Sequence, residues 1–142
     1  DFASSYTNQF DCIISNPPFF ESDLPSPDSN KNIAAHSTAL PWETFASVVC
    51  KLLSNDGLFF VIIPSIRAYT MQKLMEANGL QLIEETTVLN KEKQLPFRIF
   101  LQFKKTAEKP NSIERNKLYI KGPTNEYTDT FKSLLKEYYL QF

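Results

Sequence analysis

The chain has 142 residues, 42% of them hydrophobic and 22% charged, which is the composition of one ordinary globular domain and excludes a disordered or fibrous chain. Its longest apolar run, Leu58 to Pro64, is too short to span a bilayer, so no membrane partner is expected. The net charge of −1 conceals an asymmetry: residues 1–90 hold 4 basic and 10 acidic groups (−6), and residues 91–142 hold 11 basic and 6 acidic groups (+5). A basic second half of this kind suits a phosphate backbone, or else is solvated surface charge.

In chain order, Phe10 to Ser15 is an apolar run that stops at Asn16-Pro17-Pro18, where prolines without amide donors end a buried strand in a rigid loop. Glu21 to Lys31 mixes Ser, Pro, Asp and Asn without periodicity and reads as a long connection. Pro41 to Leu53 places Trp42, Phe45, Val48, Val49, Leu52 and Leu53 at helical spacing, with Asn55-Asp56-Gly57 as a stop. Leu58 to Pro64 is a continuous apolar strand, Arg67 to Asn78 a second helix closed by Gly79, and Leu80 to Leu89 and Phe97 to Phe103 two further strands. Lys104 to Asn116 reads as polar linker, Lys117 to Ile120 as a short strand, and Gly122-Pro123 as a turn. Tyr127 to Leu140 forms a terminal helix with Phe131, Leu134, Leu135 and Tyr138 on one face.

This alternation predicts an α/β fold: a doubly wound, Rossmann-like sheet of parallel strands with an antiparallel last pair and helices on both faces. Ligands in such sheets sit at the carboxyl ends of the strands, which is where Asn16 falls.

The stretch Phe10 to Phe20 carries the chemistry. An exocyclic amino nitrogen is a poor nucleophile because its lone pair is delocalised into the ring, so its attack on a sulfonium methyl needs two acceptors for its N–H bonds. The Asn16 side-chain carbonyl supplies one and the Pro17 carbonyl the other, while Pro18 stiffens the loop and Phe19 offers a stacking face for the base. A bare Asn-Pro-Pro is otherwise only a turn; its position after a buried strand is what gives it weight.

With these residues the sequence resembles the class I S-adenosylmethionine-dependent methyltransferases that modify amino nitrogens, whose motif is Asn/Asp-Pro-Pro-aromatic, here Asn16, Pro17, Pro18 and Phe19. Within them it is most similar to the bacterial tRNA (adenine-N6) methyltransferase family acting beside the anticodon of a valine tRNA. The stretches that carry this are Asp56 to Pro64, Leu95-Pro96-Phe97-Arg98, and Ile120-Lys121-Gly122-Pro123 with Tyr127 and Tyr138-Tyr139-Leu140. It departs from that pattern at Ala35, where the family places an arginine before His36.

The resemblance implies S-adenosylmethionine as cofactor, tRNA as partner, the cytoplasm as location, and Asp1 and Asn16 as cofactor-facing residues. Phe20, His36, Arg98 and Lys121 are the candidate RNA contacts. It also implies that residues 1–142 are a single methyltransferase domain lacking its first half. The chain opens on Asp1-Phe2-Ala3 and its glycines, Gly57, Gly79 and Gly122, are too scattered for a cofactor-cradling loop. A chain so shortened exposes the edge of its first strand and is expected to self-associate there.

Other readings remain. Glutamine N5-methylation of release factors shares the Asn-Pro-Pro logic, although Phe19 replaces the tyrosine found there. DNA adenine methylation and a non-catalytic RNA-binding half-domain are further alternatives. Trp42 and Phe45 read as core. Cys12 and Cys50 lie in apolar segments without metal-type spacing or a secretory leader, so they read as small buried hydrophobes in a reducing compartment, with no metal.

Overall fold

The computed structural model describes residues 9–18 and 41–138. The expected loop from Glu21 to Lys31 lies outside them, as do Asp1, Phe19, Phe20 and His36. In chain order the elements are β1 (Phe10–Ser15), α1 (Trp42–Leu52), β2 (Leu53–Pro64), a 3-10 turn (Ser65–Arg67), α2 (Ala68–Ala77), β3 (Leu80–Leu89), β4 (Arg98–Lys105), β5 (Glu114–Tyr119) and α3 (Asp129–Leu135).

The strands form one sheet in the order β1-β2-β4-β3-β5. β1 runs parallel to β2, and β3 runs parallel to β5. β4 is antiparallel to both of its neighbours, β2 and β3. The antiparallel last pair expected from the sequence is therefore present, but its second strand is slotted between β2 and β3. The connection is short, eight residues from 90 to 97, so β4 must fold straight back beside β3.

β2 and β4 alternate. Phe59, Val61 and Ile63 point to one face, with Ile99, Leu101 and Phe103 beside them, and all six are buried. Onto this face α1 brings Ala46 and Val49 and α2 brings Met71 and Met75, forming one apolar cluster. Each large side chain buried there contributes about 1.5–3 kcal/mol. Aromatic rings run through it: Trp42 meets Phe45 edge-on at 5.9 Å, Phe45 meets Phe59 at 5.9 Å, and Phe59 stacks on Phe103 at 6.1 Å. Trp42 and Phe45 are thus packing residues, as their spacing implied.

The opposite face is covered less. Ile14 of β1 is 80% exposed and Phe100 of β4 is 43% exposed, while Phe60 and Ile62 between them are only half-buried. Cys12 shares the face of Ile14 and is exposed, contrary to its reading as a buried hydrophobe. Its apolar neighbours in sequence alternate around an edge strand, so half of them face away from the core. Cys50 is half-buried on α1, where its thiol donates to the Asn78 carbonyl at 2.7 Å.

Three boundaries differ from expectation. β2 begins at Leu53, with no loop between it and α1: Phe10 pairs with Leu53 and Cys12 with Leu58, so residues 54–57 form a bulge rather than a terminator. Asp56 takes φ 62° there, its carboxylate meets Lys104 at 2.9 Å, and Ser54 Oγ donates to Asp11 Oδ1 at 2.7 Å. Lys105 Nζ donates to the Cys50 and Leu53 carbonyls at 2.8 and 2.7 Å, capping the end of α1 with a cation. The stretch read as linker holds the start of β5, because Glu114, Arg115 and Asn116 pair with Glu84, Glu85 and Thr86 of β3. Finally, the terminal helix is only Asp129–Leu135, and Leu134 and Tyr138 of its supposed apolar face are 59% and 83% exposed. Tyr139 and Leu140 lie outside the described residues.

Candidate functional site

Because β1, β2, β3 and β5 all run the same way, their carboxyl ends meet at one edge of the sheet. Ser15, the last residue of β1, pairs with Val61, so Asn16, Pro17 and Pro18 leave the sheet alongside the final residues of β2. Pro17 is buried, whereas Asn16 and Pro18 are exposed. The prolines restrict the backbone of the loop, and Asn16 is exposed among the described residues.

Beside the motif, β2 turns out of the sheet through Pro64 and Ser65. Ser65 Oγ donates to the Pro96 carbonyl at 2.6 Å and Ser65 N to the Phe97 carbonyl at 3.4 Å. Phe97 N in turn donates to the Val88 carbonyl at 3.2 Å. These bonds tie the exits of β2 and β3 to the residues 90–97 and hold an apolar lip in place: Ile66, Leu95 and Phe97 are 86%, 89% and 42% exposed. Sequence reasoning missed Ile66 as a surface residue. It lies just past an apolar strand, and nothing in its pattern separates it from the core.

Arg98 sits on this edge, paired with Pro64 on one side and Val88 on the other. Its Nη1 donates to the Phe97 carbonyl at 3.2 Å, so part of its role is to close the lip. Lys121 lies further along, where its N–H donates to the Asn90 carbonyl at 2.8 Å and its ammonium rests 5.7 Å from the centre of the Tyr127 ring. It lines an open cleft of about 460 Å³ with Lys91, Glu92, Lys93, Tyr119, Gly122, Pro123 and Thr128. The sheet therefore brings Asn16, Arg98 and Lys121 to the same edge, Arg98 two strands and Lys121 four strands away from Asn16.

A second cleft, about 560 Å³, opens at the other edge between α2 and β5. There a hydrogen bond from Lys73, helped by Gln72, holds the Glu76 carboxyl below its usual range. Lys73 and Glu76 are spent on each other at 2.9 Å, and no residue of the motif is near. The glycines serve structure: Gly57 lies in the bulge of β2, Gly79 takes φ 83° between α2 and β3, and Gly122 accepts a turn bond from Asn125 N. Among the described residues none of these glycines sits in a glycine-rich loop.

No protein-family model matches the chain. Curated proteins named tRNA1(Val) (adenine(37)-N6)-methyltransferase do align with it: that of Dyadobacter fermentans is 33% identical over all of this chain and 59% of its own length. That of Mannheimia succiniciproducens is 28% identical over all of the chain and 56% of its own, and that of Phocaeicola vulgatus 33% identical over 92% and 55%. They are its homologues. The chain spans somewhat more than half the length of these relatives.

Solved structures agree on the fold. A predicted O-methyltransferase of Agrobacterium tumefaciens superposes with a TM-score of 0.64 at 13% identity, over 89% of this chain and 51% of that one. A Listeria monocytogenes protein assigned to the class I S-adenosylmethionine-dependent methyltransferases gives 0.52 at 13% identity, over 79% and 38%. The sheet and its helices share the fold of these methyltransferase structures.

Proposed function

We propose that this chain carries the acceptor side of the active site of an S-adenosylmethionine-dependent methyltransferase acting on the N6 of a tRNA adenine. The observation that carries the reading is the placement of Asn16-Pro17-Pro18 at the carboxyl end of β1 within a sheet of that fold, in a chain homologous to tRNA adenine methyltransferases. When bound, S-adenosylmethionine supplies an electrophilic methyl group. The chain's own residues orient the nucleophile.

In this reading the adenine is flipped out of its stack and its amino group enters beside Asn16. The Asn16 side-chain carbonyl and the Pro17 main-chain carbonyl accept its two N–H bonds, turning the nitrogen lone pair toward the methyl. Phe19 stacks on the base, and the exposed lip of Ile66, Leu95 and Phe97 excludes water from it. The proton released after transfer leaves through solvent. Asp1 faces the cofactor, and Phe20, His36, Arg98 and Lys121 contact RNA. Residues 1–142 then make up one piece of a single methyltransferase domain, working in the cytoplasm where tRNA is.

The test is methyl transfer from labelled S-adenosylmethionine to unmodified tRNA1(Val) transcript by the full-length protein and its Asn16→Ala variant. Label is expected in N6-methyladenine, with a loss of roughly 10²- to 10³-fold in kcat on removing one preorganised acceptor. Full activity in the variant would sink the mechanism. Label on a release factor and none on RNA would replace it with glutamine N5-methylation.

A further inference from the structure

The cleft at the carboxyl ends of β3 and β5 stands apart from the motif. Three of its lining side chains are lysines, Lys91, Lys93 and Lys121, and none of them makes an ion pair among the described residues, whose salt bridges involve Lys73, Lys104 and Arg115 instead. The backbone is built to present them. Gln94 N donates to the Lys91 carbonyl at 3.3 Å across a tight turn in which Lys93 takes φ 65°, a left-handed conformation uncommon for a lysine. On the opposing wall, Lys121 is pinned by its bond to Asn90 and by the Tyr127 ring, and Thr128 Oγ1 donates to the Tyr119 carbonyl at 2.6 Å, fixing the base of the cleft.

Glu92 is the only carboxylate among the lining residues, so the cleft holds a surplus of two positive charges. Four strand intervals of about 4.8 Å separate β5 from β1, which puts the cleft roughly 19 Å along the sheet edge from Asn16. A group bound there cannot belong to the nucleotide being methylated.

The geometry points to a phosphate clamp: Lys91, Lys93 and Lys121 grip the sugar-phosphate backbone of the substrate RNA several nucleotides away from the target adenine, and so set which base reaches Asn16. This rests on the proposed tRNA methylation. A clamp at that distance positions the RNA without reading its bases, since contacts to phosphate fix register and carry no sequence information.

The experiment compares the full-length protein with Lys91→Ala/Lys93→Ala/Lys121→Ala, with Lys93→Ala alone and with Glu92→Gln, binding unmodified tRNA1(Val) transcript across a salt series. Three lost contacts to single-stranded backbone should make the slope of log K against log salt shallower by about 2, and the single variant by about 0.7. Glu92→Gln should bind several-fold more tightly than the parent. In methylation assays the rise in KM of the triple variant should exceed any fall in kcat, and Lys93→Arg should restore binding lost in Lys93→Ala. Unaltered affinity and slope in both alanine variants, with the parent still methylating tRNA, would overturn the clamp and leave the methyltransferase reading intact. A parent that neither binds nor methylates RNA would overturn both.

Discussion

Gly57 shows how a single residue sets the geometry of the sheet at the end away from the motif. A Cβ added there would stand 2.8 Å from Leu53 Cγ and 2.9 Å from the Ser54 carbonyl oxygen, closer than carbon atoms pack, and the second of these is backbone that cannot swing aside. Gly57→Ala is therefore expected to cost about 1–3 kcal/mol, read as a lower urea midpoint with unchanged slope. An unchanged midpoint would mean that the bulge relaxes freely. At this scale the sequence was informative where chemistry is unusual and silent where it is ordinary. Asn16 stood out because two prolines follow a β-branched run. Gly57 was legible only as a stop, because a close approach between residues four apart in a bulge leaves no periodic trace. Cys12 is exposed despite its apolar segment, since apolar neighbours do not reveal which face of an edge strand is covered.

Among the elements, those with a buried face were readable and those without were not. β2, β3 and β4 follow from runs or alternation that burial enforces, whereas Glu114, Arg115 and Asn116 enter β5 through backbone pairing, an Arg115–Glu85 ion pair of 2.9 Å and an Asn116–Glu84 hydrogen bond of 3.1 Å. Polar residues on a two-sided exposed edge look like linker. The last helix is shorter than its apolar spacing suggests for the converse reason: Phe131 stacks on Tyr127 at 5.3 Å, but Leu134 and Tyr138 of the same face stay exposed among the described residues. Its cap ties α3 to the sheet as well. Thr128 Oγ1 accepts from Phe131 N at 3.2 Å while donating to Tyr119 of β5, so one hydroxyl both starts the helix and ties it to the sheet. Thr128→Ala should weaken α3 by about 1 kcal/mol and accelerate amide exchange at Phe131 several-fold, leaving β4 protected. Equal protection at Phe131 in both proteins would show that the cap contributes nothing.

At the scale of the whole molecule, the candidate site and several of the fixed structural bonds occupy opposite ends of the sheet. The motif, the apolar lip and the lysine cleft share the carboxyl edge, while the bulge, the Lys105 cap and the Glu76 pair lie toward the other. β1 has one strand partner among the described residues, β2, and Ile14 on its open face is 80% exposed. We infer that the 142-residue chain self-associates through β1, since an edge strand is a template for another. Ile14→Lys should shift the chain toward monomer in sedimentation velocity; an identical distribution for both would place any association elsewhere.

The aromatic series from α1 to β4 has a further consequence. Trp42 is the only tryptophan in the chain, and through Phe45 and Phe59 it is linked ring by ring to Phe103 on a different strand. Its indole fluorescence is thus a built-in optical gauge of whether the helix layer is seated on the sheet. Emission that reddens at a lower denaturant concentration than the loss of strand signal would report α1 lifting away while the strands stay paired, and a single shared transition would report one cooperative body.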